Sequence, residues 1–148
     1  MTTLATSAAR LILGALFLWA SATKVPDMAA FAESVANYRI VPPALVPAAA
    51  AAVVGIEIVA GVALLANAWA RAAAWLLAAL LSVFTAGLAS ALLRGIDLAC
   101  GCFGGSSPAT GWTVLRDVVL LALAVLVAAT ARRRVSPPSP RADAAEAG

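Results

Sequence analysis

Histidine is absent from the 148 residues of this chain, and only 11% of them are charged. Without histidine the chain has neither the usual general base at neutral pH nor the commonest metal ligand. There are two methionines, Met1 and Met28, so a thioether path for soft metals is missing. Cysteine occurs twice, at Cys100 and Cys102, so all thiol chemistry is confined to one point. Charged residues make up about 25% of an average soluble domain. With so few here, a soluble globule of this size could not cover its surface with polar groups. A cytosolic enzyme and a disordered regulator are therefore excluded. The net charge of +3 does not indicate nucleic-acid binding, because no basic stripe interleaved with aromatics accompanies it.

What is present is apolar: 64% of the residues are hydrophobic. A bilayer core about 30 Å thick requires about 20 apolar residues in a helix. Four runs satisfy this, at about 4–23, 44–66, 72–93 and 112–131. The expected fold is an all-α integral membrane protein, a four-helix bundle occupying residues 1–134. The link between the second and third runs, near Asn67–Arg71, is short enough to make them antiparallel neighbours. Arg10 with the Ala20-Ser21-Ala22 sequence imitates a signal peptide and its cleavage site. The first run is nevertheless long enough to span and leads directly into Thr23-Lys24, so it is read as a span.

Arg132, Arg133 and Arg134 follow the last run and predict a cytoplasmic C-terminus. Four spans then put the N-terminus on the same side, and loops 24–42 and 94–111 outside. Residues Met28–Tyr38 carry apolar side chains near helical spacing and predict a short helix lying on the membrane surface. Residues 135–148, rich in proline and alanine, are expected to be disordered. Trp19, Trp69, Trp75 and Trp112 lie at or near span ends, as an interfacial belt would.

Two features carry chemistry. The first is Cys100-Gly101-Cys102-Phe103, directly after the third run. A disulfide between cysteines one residue apart closes a very small ring, and strained or exposed disulfides are the labile ones. Gly101 gives the backbone the freedom such a turn needs. Arg116, next to Asp117 at the start of the fourth run, is placed to lower a nearby thiol pKa or else to pair with Asp117. A soft-metal dithiol site and a merely structural pair remain alternatives. Two thiolates are too few for a closed zinc site, and no metal is expected. The second feature is Glu57, a carboxylate in the middle of the second run, which requires a partner. Arg10 lies about 9 Å and Glu57 about 14–15 Å from the inner ends of their spans at 1.5 Å per residue. An Arg10–Glu57 pair is therefore expected, either stapling two helices or serving a proton or a quinone head group.

Arg10, Gly14, Phe17, Ala20 and Lys24, followed by Asp27, Phe31, Tyr38, Glu57, Gly61 and Cys100-Gly101-Cys102-Phe103-Gly104, resemble the MauE family of methylamine-utilisation membrane proteins, within the wider DoxX-like group. Lys24 and Tyr38 become candidate site residues through this resemblance. It implies a four-helix protein of the bacterial plasma membrane. It also implies thiol-disulfide exchange with an extracytoplasmic thioredoxin-like partner, MauD, during maturation of methylamine dehydrogenase. A membrane quinone is the candidate electron partner and the lipid bilayer the constant one; a homo-oligomer is compatible with these spans. The competing classes are a soft-metal binding or transport protein and a non-catalytic membrane scaffold.

Overall fold

The computed structural model describes residues 2–95 and 111–131. In chain order the helices are α1 (Thr2–Lys24), α2 (Met28–Asn37), α3 (Val46–Leu65), α4 (Ala70–Leu93) and α5 (Gly111–Thr130). No strand occurs among the described residues. Four helical stretches are long and apolar enough to cross a membrane: Leu4–Asn37, Pro43–Leu65, Ala70–Leu93 and Gly111–Thr130. The all-α, four-helix expectation holds. Cys100, Gly101, Cys102, Phe103, the arginines at 132–134 and the tail at 135–148 lie outside the described residues.

The first stretch is bent. A 3-10 turn at Val25–Asp27 separates α1 from α2. Pro26 has no N–H to continue the α1 ladder, so the helix yields there. Asp27 restarts it, its carboxylate accepting from the Ala30 N–H at 2.9 Å as an N-cap. The helix expected over Met28–Tyr38 forms as Met28–Asn37 and is folded onto the bundle. Its Phe31 and Val35 bury against Val46, Ala50 and Val54 of α3.

The long helices form a ring in which α1 touches α3 and α5, and α4 touches the same two. The α3–α4 link is tight, with Asn67 and Trp69 both at φ +52. Asparagine tolerates this left-handed conformation better than most residues. The core at this end is apolar, packed from Leu13, Leu64, Leu77, Ala124 and Val127. Large apolar side chains such as Val59, Val83 and Val119 point outward, the pattern of a bundle surrounded by lipid. All four tryptophans are exposed.

α1 and α3 run antiparallel and meet at two glycines. A Cβ on Gly61 would lie 2.8 Å from Leu18 Cγ and 3.1 Å from the Gly14 carbonyl oxygen. A Cβ on Gly14 would lie 3.0 Å from the Gly61 carbonyl oxygen. Small residues permit this close approach in membranes, where packing rather than the hydrophobic effect joins helices. Gly61→Ala is expected to cost about 1–3 kcal/mol by overpacking. Gly55→Ala, whose Cβ meets nothing within 4 Å, serves as the neutral control. Thermal unfolding in detergent compares them, and equal midpoints would contradict the crossing.

Candidate functional site

The polar centre of the bundle lies where α1 ends. Phe17, Ser21 and Lys24 recur at three- and four-residue spacing and so share one face of the last turns of α1. Glu57 faces them from α3. Lys24 Nζ donates to both Glu57 oxygens, at 2.5 and 2.8 Å, and the two side chains are 2% and 5% exposed. Ser21 Oγ lies 3.3 Å from Glu57 Oε2 and 2.9 Å from the Phe17 carbonyl oxygen. The Phe31 ring of α2 lies over the ammonium, 5.0 Å from Nζ to its centroid. A cation on an aromatic face gains up to about 2 kcal/mol when desolvated. The helix after the Pro26 bend thus covers the ion pair.

This arrangement corrects the expected Arg10–Glu57 pair. Arg10 instead donates to the Leu64 carbonyl oxygen and, at 3.4 Å, to that of Leu65. The final carbonyls of a helix lack intrahelical donors, and a guanidinium can satisfy them. The depth argument failed because it referred both helices to a common inner surface. The Gly14–Gly61 crossing sets the register instead, and from the end of α1 the side chains of Ser21 and Lys24 reach Glu57. The sequence signal was Lys24 lying three residues after Ser21 on the buried face, just before Pro26. Its position at a span end made it look like a flanking charge.

Asp117 faces the same centre from α5. Its side chain is 3% exposed, and its Oδ1 accepts from Arg116 Nη2 at 3.1 Å and Nε at 3.3 Å. Of the two roles open to Arg116, pairing with Asp117 is therefore the one found among the described residues. Arg116 is 35% exposed and reaches the carboxylate from the rim. Lys24, Glu57 and Asp117 line one cavity of about 30 Å³, walled otherwise by apolar side chains including Phe17, Phe84 and Leu120. One water requires about 10–15 Å³ measured this way, so the space suits one or two waters. It does not fit a quinone ring. The Arg10–Glu57 pair expected to serve a quinone head group is also unformed.

Tyr38 ties this centre to the end of α4. Its ring meets Phe84 edge-on, with centroids 6.3 Å apart. It also lies against Gly87, where a Cβ would approach Tyr38 Cδ1 to 3.3 Å. Arg94 Nη2 donates to the Tyr38 carbonyl oxygen at 3.1 Å, and Arg94 Nε to that of Ser90 at 3.1 Å. The chain leaves α4 at Gly95, with φ +66. The connection from there to Gly111 includes both cysteines in sequence.

A buried pair broken on one side leaves an uncompensated charge, at a cost of about 3–5 kcal/mol, whereas replacing both partners is far milder. Lys24→Met alone is expected to destabilise strongly. Lys24→Met with Glu57→Gln should recover most of that loss. Chemical denaturation of the four combinations in mixed micelles measures the coupling, and additive effects would refute the pairing.

The sequence profile described as methylamine utilisation protein MauE matches residues 2–130. The methylamine utilization protein MauE of Paracoccus denitrificans is 37% identical over 124 residues, which is 82% of this chain and 67% of that protein. No solved structure matches the chain. A family match that takes in all four membrane-length helices, together with this level of identity, shows that the chain belongs to the MauE family.

Proposed function

We propose that this chain is a plasma-membrane protein of methylamine utilisation that exchanges disulfides through Cys100 and Cys102 with an extracytoplasmic thioredoxin-like protein. The observation that carries the reading is the Cys-Gly-Cys sequence in a chain with no other cysteine, within the connection between α4 and α5. Family membership supports the membrane setting, and the printed name of the Paracoccus relative supports the link to methylamine utilisation. Arg132–Arg134 support a cytoplasmic C-terminus. With four spans, both termini are then cytoplasmic and the connection 94–111 is extracytoplasmic.

The chemistry is symmetric in direction. A thiolate of one partner attacks a disulfide sulfur of the other, forming a mixed disulfide and releasing one thiolate. The second cysteine of the attacking pair then attacks its neighbour's sulfur and displaces the partner's thiolate. One partner ends as a disulfide and the other as a dithiol, so electrons balance between the two proteins. Strain in the small Cys100–Cys102 ring favours its reduction, which suits donation of a disulfide to a partner dithiol.

Trapping tests this reading. Cys100→Ser and Cys102→Ser each leave one sulfur unable to complete resolution. At least one variant is expected to accumulate in cells as a reducible adduct containing an extracytoplasmic thioredoxin-fold protein. The double variant should form none. The absence of any adduct from both single variants would refute the exchange. Labelling of the cysteines by an impermeant maleimide only from the cytoplasmic side would refute the placement.

A further inference from the structure

The cavity between the four long helices holds more negative than positive charge among its described lining residues. Lys24, from α1, neutralises Glu57, from α3, by donating to both of its oxygens. Asp117, from α5, is the second carboxylate lining the cavity, and α4 contributes Leu80, Leu81 and Phe84 with no ionisable group. Arg116 pairs with Asp117 from the rim at 3.1 Å while 35% exposed, so solvent screens part of its charge. A carboxylate buried in a membrane bundle calls for a further partner or for a proton.

The donor set decides between a metal ion and a proton. Hard cations such as Ca²⁺ and Mg²⁺ take about six or more oxygen ligands. Here the Glu57 oxygens are engaged by Lys24 and Ser21, and the remaining walls are mainly carbon. No group of three or more His, Cys, Asp or Glu able to hold a metal occurs among the described residues. A proton needs one carboxylate oxygen and a water to deliver it. The cavity of about 30 Å³ provides room for that water.

We propose that this cavity is an intramembrane proton site, in which Asp117 takes up and releases a proton through one or two waters held between it and the Lys24–Glu57 pair. In uptake, an O–H bond forms on the Asp117 carboxylate as one breaks in a protonated water. Release is the reverse, and no electron moves. Lys24 determines which carboxylate does this. While it holds Glu57, Asp117 is the carboxylate left, among the described lining residues, to accept the proton. Nothing in this step involves the cysteines, so it stands or falls separately from disulfide exchange.

Infrared difference spectra of the full chain in lipid nanodiscs, recorded as the buffer is stepped between alkaline and acid, test the site. A protonated-carboxyl C=O band is expected, shifting in D₂O. It should vanish in Asp117→Asn and move to a new frequency in Asp117→Glu, which keeps the carboxyl should the amide variant not fold. It should persist in Glu33→Gln, where an exposed carboxylate is removed. In Glu57→Gln it should shift or disappear, because the Lys24 ammonium then has Asp117 as the carboxylate left in the cavity. A wild-type protein with no such band would overturn the proposal, as would a band unchanged in Asp117→Asn or Asp117→Glu. An unmoved band in Glu57→Gln would overturn the shared cavity.

Discussion

An ammonium sealed inside a bundle has to find a carboxylate, and much of this structure follows from how Lys24 meets Glu57. The two groups come from helices held almost in backbone contact at Gly14 and Gly61. That closeness sets the depth at which the last turn of α1 faces α3. The chain then has to bend away, and Pro26 supplies the break. Once bent, it returns as α2, bringing the Phe31 face onto the ammonium. A buried pair contributes little net stability once the desolvation of both charges is counted. Its larger effect here is selective. An α1 slid by one turn, or rotated to another face, would leave a buried charge without its partner.

The same constraint links the ion pair to the connection that carries the cysteines. α2 is held at its start by the Asp27 cap and at its end by Tyr38, whose ring rests on Gly87 and Phe84 of α4. Arg94 bonds the Tyr38 carbonyl from one residue before the chain leaves α4 at Gly95. A displacement of the α4 terminus would therefore be felt by α2 and by the ring over Lys24. The Phe31–Lys24 contact and the Arg94–Tyr38 bond thus belong to one short helix and its C-cap.

Hydropathy made the number of helices and their extents legible, because lipid demands about 20 apolar residues per crossing whatever the partners. The α2 helix was legible from the spacing of Met28, Phe31 and Val35, and the tight α3–α4 turn from its length. The need of Glu57 for a partner was also plain, since a lone charge in an apolar run is a local anomaly. Which partner it finds was not. Hydropathy contains no information about the register between helices, and that register depends on side-chain packing at Gly14, Leu18 and Gly61. Arg10 shows the other side of this: a basic residue within a span can be satisfied by carbonyl oxygens at the end of a neighbouring helix, which no charge pattern reveals. Asp117 was legible as a neighbour of Arg116. Its place in the cavity with Lys24 was not, because α1 and α5 are brought together only by closure of the ring.

The distribution of polar groups along the bundle bears on what it can conduct. Lys24, Asp117, Tyr38 and Arg94 belong to the half in which α1 and α4 end and α3 and α5 begin, and Glu57 lies near the middle of α3. Toward the opposite end the interior closes over Leu13, Leu64, Leu77, Ala124 and Val127, each fully buried. Arg10 and Thr6 lie in that half, but they bond to the α3 carbonyls and to Thr130 rather than to the central cavity. A water or ion that moved from Glu57 toward that end would meet this apolar layer of described residues. Such a layer is a barrier to charge because an ion crossing it would lose its hydration without replacement. Among the described residues, the buried polar groups and the apolar seal thus lie at different depths of the bundle.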